Sequence, residues 1–229
     1  MRTVDTKEIA DKIYEMALKA GVTLTPSCLA ALKDTESKES CAAAKFALGT
    51  LLENAALSQR ENLPVCQDTG MAVVMLDIGQ EVCLTGELLE VAVNDAVRRA
   101  YKDGYFRKSI CDPITRENTG DNTPAAIHTH ICAGDSISIT YLPKGFGSEN
   151  MSAMYMLKPA QGTEGIIDAI VSTVKKAGSR PCPPVYVGVG IGGSFDTCAY
   201  LAKKALTRDV GTHSDRADIV DIERKALER

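Results

Sequence analysis

The 229-residue chain has no tryptophan and no basic excess, and its aromatic residues make up only 5% of the sequence. Its most apolar stretch, residues 185–191, is broken by glycine and is far shorter than the roughly 20 residues of a membrane-spanning helix. The N-terminal segment MRTVDTKEIADK lacks the apolar core of an export signal. Lys and Arg number 26 against 30 Asp and Glu, so the surface offers no basic footprint for nucleic acid. We therefore expect a cytoplasmic globular protein that binds neither membranes nor nucleic acids.

The eight cysteines never form a CxxC pair, and the two nearest, Cys28 and Cys41, are thirteen residues apart. This spacing excludes zinc ribbons, ferredoxin-type clusters and thioredoxin motifs as local patterns. A reducing cytosol disfavours disulfides, so we expect most of these thiols to pack as small buried hydrophobes. The wide spacing still allows a metal centre whose ligands come from distant segments.

Hydrophobic periodicity predicts one α+β domain over residues 1–229, with a mixed β-sheet flanked by helices and a helical N-terminal section. Helices are predicted at residues 5–20, 37–60, 86–102, 163–176 and 197–206. Strands are predicted at residues 71–79, 81–86, 125–132, 136–142 and 185–190. The turn near Gly134 favours a hairpin between the third and fourth of these strands.

Gly188, Gly190 and Gly193 satisfy a GxGxxG pattern between a predicted strand and a helix. In a dinucleotide-binding domain such glycines let the backbone approach a pyrophosphate. Only about forty residues follow, too few for the second half of such a domain, so a tight strand-to-helix turn is the better interpretation. The exposed amides at that helix start could still hold a substrate carboxylate.

Other segments carry functional residue types that also have simpler explanations. Cys66 lies in the polar turn Cys-Gln-Asp-Thr-Gly, and Cys182 lies between prolines that stiffen its backbone. The polar run at residues 107–124 could bind a small carboxylate through arginine, although Asx turns explain part of it. His128 and His130 share one strand face, where a half-exposed surface is a simpler explanation than metal binding.

Together these segments resemble the iron–sulfur-dependent class I fumarate hydratase and L(+)-tartrate dehydratase family, at its α subunit or N-terminal domain. The motifs that carry the resemblance, in chain order, are LPVCQDTG (63–70), RKS (107–109), the run from DP to NTGDNTP (112–124), KGFGSEN (144–150) and CPP (182–184) followed by the glycines at 188–193.

The resemblance implies a hydro-lyase that interconverts malate and fumarate with a [4Fe–4S] cluster, one iron of which stays open to polarise the substrate. Cys66 and Cys182 would be two cluster ligands. Asp68 would act in proton transfer or orient the substrate hydroxyl. The other implied contacts to a small dicarboxylate substrate are Gln67, Asp68, Arg107, Gly145, Gly147, Ser148 and Asn150.

The chain departs from the family pattern at two places. Phe146 replaces the middle glycine of the KGGGSEN-like loop, which could alter the fit to substrate. The family's third cluster cysteine lies beyond a GIGP-like segment, and we expect this chain to stop before it. We therefore expect a β subunit to complete the site, within a hetero-oligomer or homodimer. The alternatives are an L-tartrate dehydratase α subunit, a cluster-free structural or assembly fragment, and a dinucleotide-binding domain.

Overall fold

The structure, a computed structural model, describes all 229 residues. The chain divides into two compact units, Met1–Phe146 and Gly147–Arg229, which we call the N-terminal unit and the C-terminal unit. Helices and a mixed sheet confirm the predicted α+β class with a helical N-terminal section. None of the helices combines the length and the apolar character needed to cross a membrane.

The N-terminal unit begins with the short strand β1 (Arg2–Asp5) and three helices, α1 (Thr6–Val22), α2 (Pro26–Lys38) and α3 (Ala42–Glu61). Helix α1 starts at Asp5 because the Asp5 carboxylate accepts a hydrogen bond from the Lys7 amide at 2.9 Å, satisfying one of the free donors of the first turn.

The unit has a two-stranded sheet and a three-stranded sheet, and the larger one is built around a central strand. The remaining elements are β2 (Met71–Gly79), β3 (Val82–Thr85), α4 (Leu89–Asp103), β4 (Ala126–Cys132) and β5 (Ile137–Lys144). Strand β2 pairs in parallel with β4 and antiparallel with β5, while β3 pairs in parallel with β1. The predicted hairpin of β4 and β5 is wrong, because β2 lies between them.

The core of the N-terminal unit lies between this sheet and the pair of helices α1 and α4. Strand residues such as Val74 and Leu76 alternate toward it, and Ile13, Val93 and Val97 supply helical faces at the expected spacing. These five side chains are at most 1% exposed, so the sheet gives the loops at its edges a rigid base.

The C-terminal unit is mainly helical. The short helix α5 (Phe146–Glu149) starts at the last residue of the N-terminal unit, and α6 (Gly162–Ala177), α7 (Phe195–Ala205) and α8 (Ala217–Leu227) follow. The predicted strand at residues 185–190 is wrong, because this segment pairs with no other strand. A Cβ atom at Gly188 or Gly190 would collide with the backbone of α7, so these glycines allow close packing of the segment on that helix.

Candidate functional site

The loop at residues 63–70 joins α3 to β2 and presents Cys66 and Gln67 at the surface. Its beginning is tied to the preceding helices, because the Val65 amide donates to Gly21 O at 2.9 Å and Asn54 Nδ2 donates to Val65 O at 2.8 Å. The Cys66 thiol donates to Gln67 Oε1 at 3.5 Å. The loop is therefore anchored on the side that precedes its two exposed functional groups.

Asp68 is held by backbone donors on both of its carboxylate oxygens. Oδ1 accepts from the Gly70 amide at 3.1 Å, and Oδ2 accepts from the Phe146 amide at 2.9 Å. The first bond closes an Asx turn, and the second ties the loop to the end of β5. Asp68 thus has a fixed orientation, while its expected part in proton transfer stays a prediction.

Gly70 is the point where the loop meets the backbone that follows β5. Its φ of +71° is left-handed, and a Cβ atom there would stand 2.5 Å from Lys144 O and 2.7 Å from the Gly145 amide nitrogen. Only glycine meets both conditions without strain. Lys144 itself is 9% exposed, and its ammonium group donates to Gly145 O at 3.3 Å.

The end of the loop rests on a buried polar cluster that the sequence reasoning did not find. The Tyr101 hydroxyl contacts Gly70 O at 2.8 Å and Thr69 O at 3.0 Å, and Asn122 Nδ2 donates to Gly70 O at 3.1 Å. Burial raises the pKa of Tyr101 to about 12, so the phenol stays protonated and able to donate. A tyrosine on the apolar face of α4 was the available signal, because a buried hydroxyl needs a partner.

Arg107 follows α4 and is exposed. Its carbonyl oxygen accepts a hydrogen bond from the Thr69 hydroxyl at 3.1 Å, while its guanidinium forms no hydrogen bond or ion pair within the chain. The Thr69 bond thus holds the backbone of Arg107 beside the loop at residues 63–70, and the bidentate guanidinium is exposed. The implied contact of Arg107 with a substrate stays a prediction.

The polar run after Arg107 folds back on itself through side-chain hydrogen bonds. Asp121 accepts from Arg98 Nε at 2.9 Å and from the Thr123 hydroxyl at 2.7 Å. Burial opposes ionisation of this carboxyl, but the bonds from Thr123 and Arg98 outweigh it and lower its pKa to about 2. Asp121 is therefore ionised at neutral pH and braces the run against α4.

The C-terminal unit contains the predicted site residues that follow Gly145. Gly147, Asn150 and Cys182 are exposed, and Ser148 is half-buried. Cys182 adopts a left-handed φ of +59°, a strained conformation for a residue with a side chain, and its amide donates to Ser179 O at 3.1 Å. The loop of Gly147 to Asn150 is held to α7 by the ion pair of Glu149 and Lys203 at 2.6 Å.

The expectation that most of the thiols are buried is wrong for the six cysteines other than Cys66 and Cys182. Cys41 is exposed at the start of α3, and the others are half-buried: Cys28, Cys83, Cys111, Cys132 and Cys198. All eight cysteines are free thiols in the structure. The prediction failed because exposure depends on where each thiol lies in the fold, and Cys41 lies at a helix end.

Whether the chain can hold an iron–sulfur cluster depends on the ligand atoms that its side chains offer. Cys66 and Cys182 are exposed thiols on anchored or strained backbone, which suits thiolate ligands. No group of three or more His, Cys, Asp or Glu side chains in the chain is arranged to hold a metal ion. His130 instead lies 3.5 Å from Asp77, on the strand face expected for it. The donor type therefore fits a cluster, but this chain by itself does not present a complete ligand set.

Comparison with known proteins agrees with the chain-ordered motifs. The family model for fumarate hydratase (Fumerase) matches residues 10–229. The chain is 36% identical over 229 aligned residues to the Methanocaldococcus jannaschii protein provisionally named L(+)-tartrate dehydratase subunit alpha, which covers 97% of this chain and 80% of that one. It is 29% identical over 196 residues to the L(+)-tartrate dehydratase subunit alpha of Escherichia coli K12 and of Shigella sonnei, covering 84% of this chain and 64% of each relative.

The names of the family and of these relatives denote enzymes that add or remove water, which supports a hydro-lyase role. The chain belongs to the fumarate hydratase (Fumerase) family. It spans less than two thirds of the length of the Escherichia coli and Shigella relatives. Those relatives are named as alpha subunits, a term that implies a partner subunit for them.

Gly70→Ala is expected to lower the free energy of unfolding by about 2–5 kcal/mol, since it combines left-handed strain with overpacking against Lys144. Gly120→Ala is the matched control, because Gly120 also has a left-handed φ, +79°, but has no atom within 4 Å of the added Cβ. It should cost only about 1–2 kcal/mol. Urea denaturation measures both, and equal losses would refute the close approach at Gly70.

Proposed function

We propose that this chain is the α subunit or domain of a hydro-lyase that interconverts malate and fumarate, with a β subunit completing the site in a cytoplasmic hetero-oligomer or homodimer. Family membership supports the reaction class. The observation that carries the proposal is that Gln67, Asp68 and Arg107 lie on two segments joined by the hydrogen bond from Thr69 to Arg107 O. We also propose that residues 1–229 form a single catalytic domain of this type.

The side chains of the N-terminal unit suit a dicarboxylate substrate. Arg107 has an exposed guanidinium that can bind a carboxylate through two parallel hydrogen bonds. Gln67 is exposed in the loop at residues 63–70 and offers an amide donor. Asp68, with its two backbone bonds, can hold the substrate hydroxyl or move a proton only at an oxygen that keeps a free lone pair.

Gly145, Gly147, Ser148 and Asn150 are proposed as further substrate contacts. Gly145 is half-buried directly after Lys144, where the backbone closely approaches Gly70. Ser148 and Asn150 offer a hydroxyl and an amide, groups that can hydrogen-bond a carboxylate or hydroxyl. The Phe146 amide donates a hydrogen bond to Asp68. The position where the family pattern has glycine therefore still supports the loop through its backbone.

We further propose that Cys66 and Cys182 each donate a thiolate to a [4Fe–4S] cluster. The family resemblance implies a third cluster cysteine after a GIGP-like segment, and we propose that this ligand lies outside residues 1–229. Cys66→Ser and Cys182→Ser should each lower iron bound per α–β complex after anaerobic reconstitution to about background, since serine does not replace the soft thiolate. Cys41→Ser removes an equally exposed thiol and should leave the iron content unchanged.

Retention of iron by both Cys66→Ser and Cys182→Ser would show that these thiols are not ligands. Absence of iron from the unmodified complex would instead favour the cluster-free structural fragment. Both outcomes are measured by iron and acid-labile sulfide analysis of the purified complexes.

L(+)-tartrate is a second candidate substrate, since the relatives at 36% and 29% identity are both named L(+)-tartrate dehydratase subunit alpha. Tartrate carries one more hydroxyl than malate, and small changes in a pocket can accommodate such a difference. Steady-state assays of the α–β complex with fumarate, malate and L(+)-tartrate compare the two substrates directly through kcat/KM.

Arg107→Gln is expected to lower kcat/KM for the preferred dicarboxylate about 10- to 100-fold, since a charge-assisted hydrogen bond to a carboxylate is lost. Arg216→Gln is the matched control, because Arg216 is an exposed arginine outside the polar run at residues 107–124 and belongs to no predicted contact. It should leave kcat/KM within about threefold. Equal effects of the two substitutions would contradict the assignment of Arg107, and inactivity of the unmodified complex toward all three acids would contradict the proposed function.

A further inference from the structure

The Asn122 side chain is completely buried and bonds two separate segments of the N-terminal unit. Its Nδ2 donates to Gly70 O at 3.1 Å, which holds the end of the loop at residues 63–70. Its Oδ1 accepts from the amides of Ser109 at 2.6 Å and Ile110 at 3.3 Å, which holds the segment after Arg107. Asn122 is 0% exposed, so these three hydrogen bonds replace the bonds that its side-chain amide would make to water in the unfolded chain.

Tyr101 supports only one of these two segments. Its hydroxyl contacts the carbonyl oxygens of Thr69 and Gly70. Tyr101 is 1% exposed, so its bonds form away from water, where an unpaired carbonyl is costly. Tyr101 therefore fixes the loop to the α4 helix, whereas Asn122 fixes the loop to the neighbouring segment.

The two segments held by Asn122 carry the groups proposed to bind substrate. Gln67 and Asp68 precede Gly70 by two to three residues, and Arg107 precedes Ser109 by two. The short connections transmit the position of each anchored backbone to these side chains. Binding groups on separate loops need such support, because small displacements of a binding group lower affinity and rate.

We propose that Asn122 is a positioning residue that sets the placement of Gln67 and Asp68 relative to Arg107. That these three side chains bind substrate rests on the proposed function. That Asn122 joins their two segments rests on its three hydrogen bonds. Asn122 does not act on the substrate. It acts through the two backbone segments that it joins.

Amide hydrogen exchange of the whole chain, read by NMR, tests the coupling without an activity assay. Asn122→Gly deletes the side chain, and glycine suits the left-handed φ of +64° at this position. The amides of Gly70 and Phe146 bond to Asp68 and not to Asn122. We expect both to exchange about tenfold faster, because a buried hydrogen bond that fixes the loop is lost.

Two further variants separate coupling from general loosening. Tyr101→Phe should speed exchange at Gly70 and leave Ser109 protected, because the Asn122 bonds to the second segment remain. Tyr14→Phe is the matched control: it removes a tyrosine hydroxyl bonded to Asp103 at 3.0 Å on the surface and should change neither amide.

Either of two results would overturn the proposal. Unchanged exchange at Gly70 and Phe146 in Asn122→Gly would show that the loop is held without Asn122. Equal acceleration of every amide in the chain would show a loss of global stability and no local coupling.

In the active α–β complex, Asn122→Gly should lower kcat/KM for the dicarboxylate about tenfold, since it weakens the placement of the groups proposed to bind substrate and move a proton. An unchanged kcat/KM would overturn the positioning role. If the unmodified complex shows no hydro-lyase activity, the proposed function fails, while the exchange measurement still decides whether Asn122 couples the two segments.

Discussion

The carbonyl oxygen of Gly70 is the point on which the candidate site depends. Tyr101 and Asn122 both contact it from the protein interior, at 2.8 and 3.1 Å. A buried carbonyl without such donors would cost about 1–3 kcal/mol, so the loop end is strongly fixed. The left-handed backbone of Gly70 and its close approach to Lys144 add a steric constraint at the same residue. Every exposed group of the loop is placed from this anchored end.

This anchoring explains how a surface loop can carry ordered chemistry. Cys66 and Gln67 are exposed, yet they lie between the Val65 amide, bonded to Gly21 O, and the fixed Gly70 carbonyl. Arg107 is exposed in the same way and is joined to the loop through Thr69. A ligand-binding group gains affinity when its position is set before the ligand arrives. The structure thus combines accessible side chains with a backbone that is fixed by hydrogen bonds to the rest of the N-terminal unit.

Local pattern predicted α1, α3, α4, α6 and α7, because apolar spacing and caps act within a few residues, as at Asp5 before α1. It missed α2, and it placed the start of α3 five residues too early. It failed for the hairpin of β4 and β5, because the choice of β2 as the central strand is decided by packing between distant segments. It also failed at residues 185–190, where alternating valines favour a strand but no partner strand pairs with them. The site residues were predicted from the family resemblance and stay predictions, whereas Tyr101 was missed because its partners are backbone carbonyls from another segment.

The central claim is that the exposed thiols of Cys66 and Cys182 bind iron in a hydro-lyase of this family, and alkylation of individual cysteines tests it most directly. The α–β complex would be alkylated anaerobically before and after reconstitution with iron and sulfide, and the modified peptides measured by mass spectrometry. The account predicts that iron protects Cys66 and Cys182 at least about tenfold, since a metal-bound thiolate is a poor nucleophile, while exposed Cys41 reacts equally in both states. Equal alkylation of Cys66 and Cys182 with and without bound iron would contradict it.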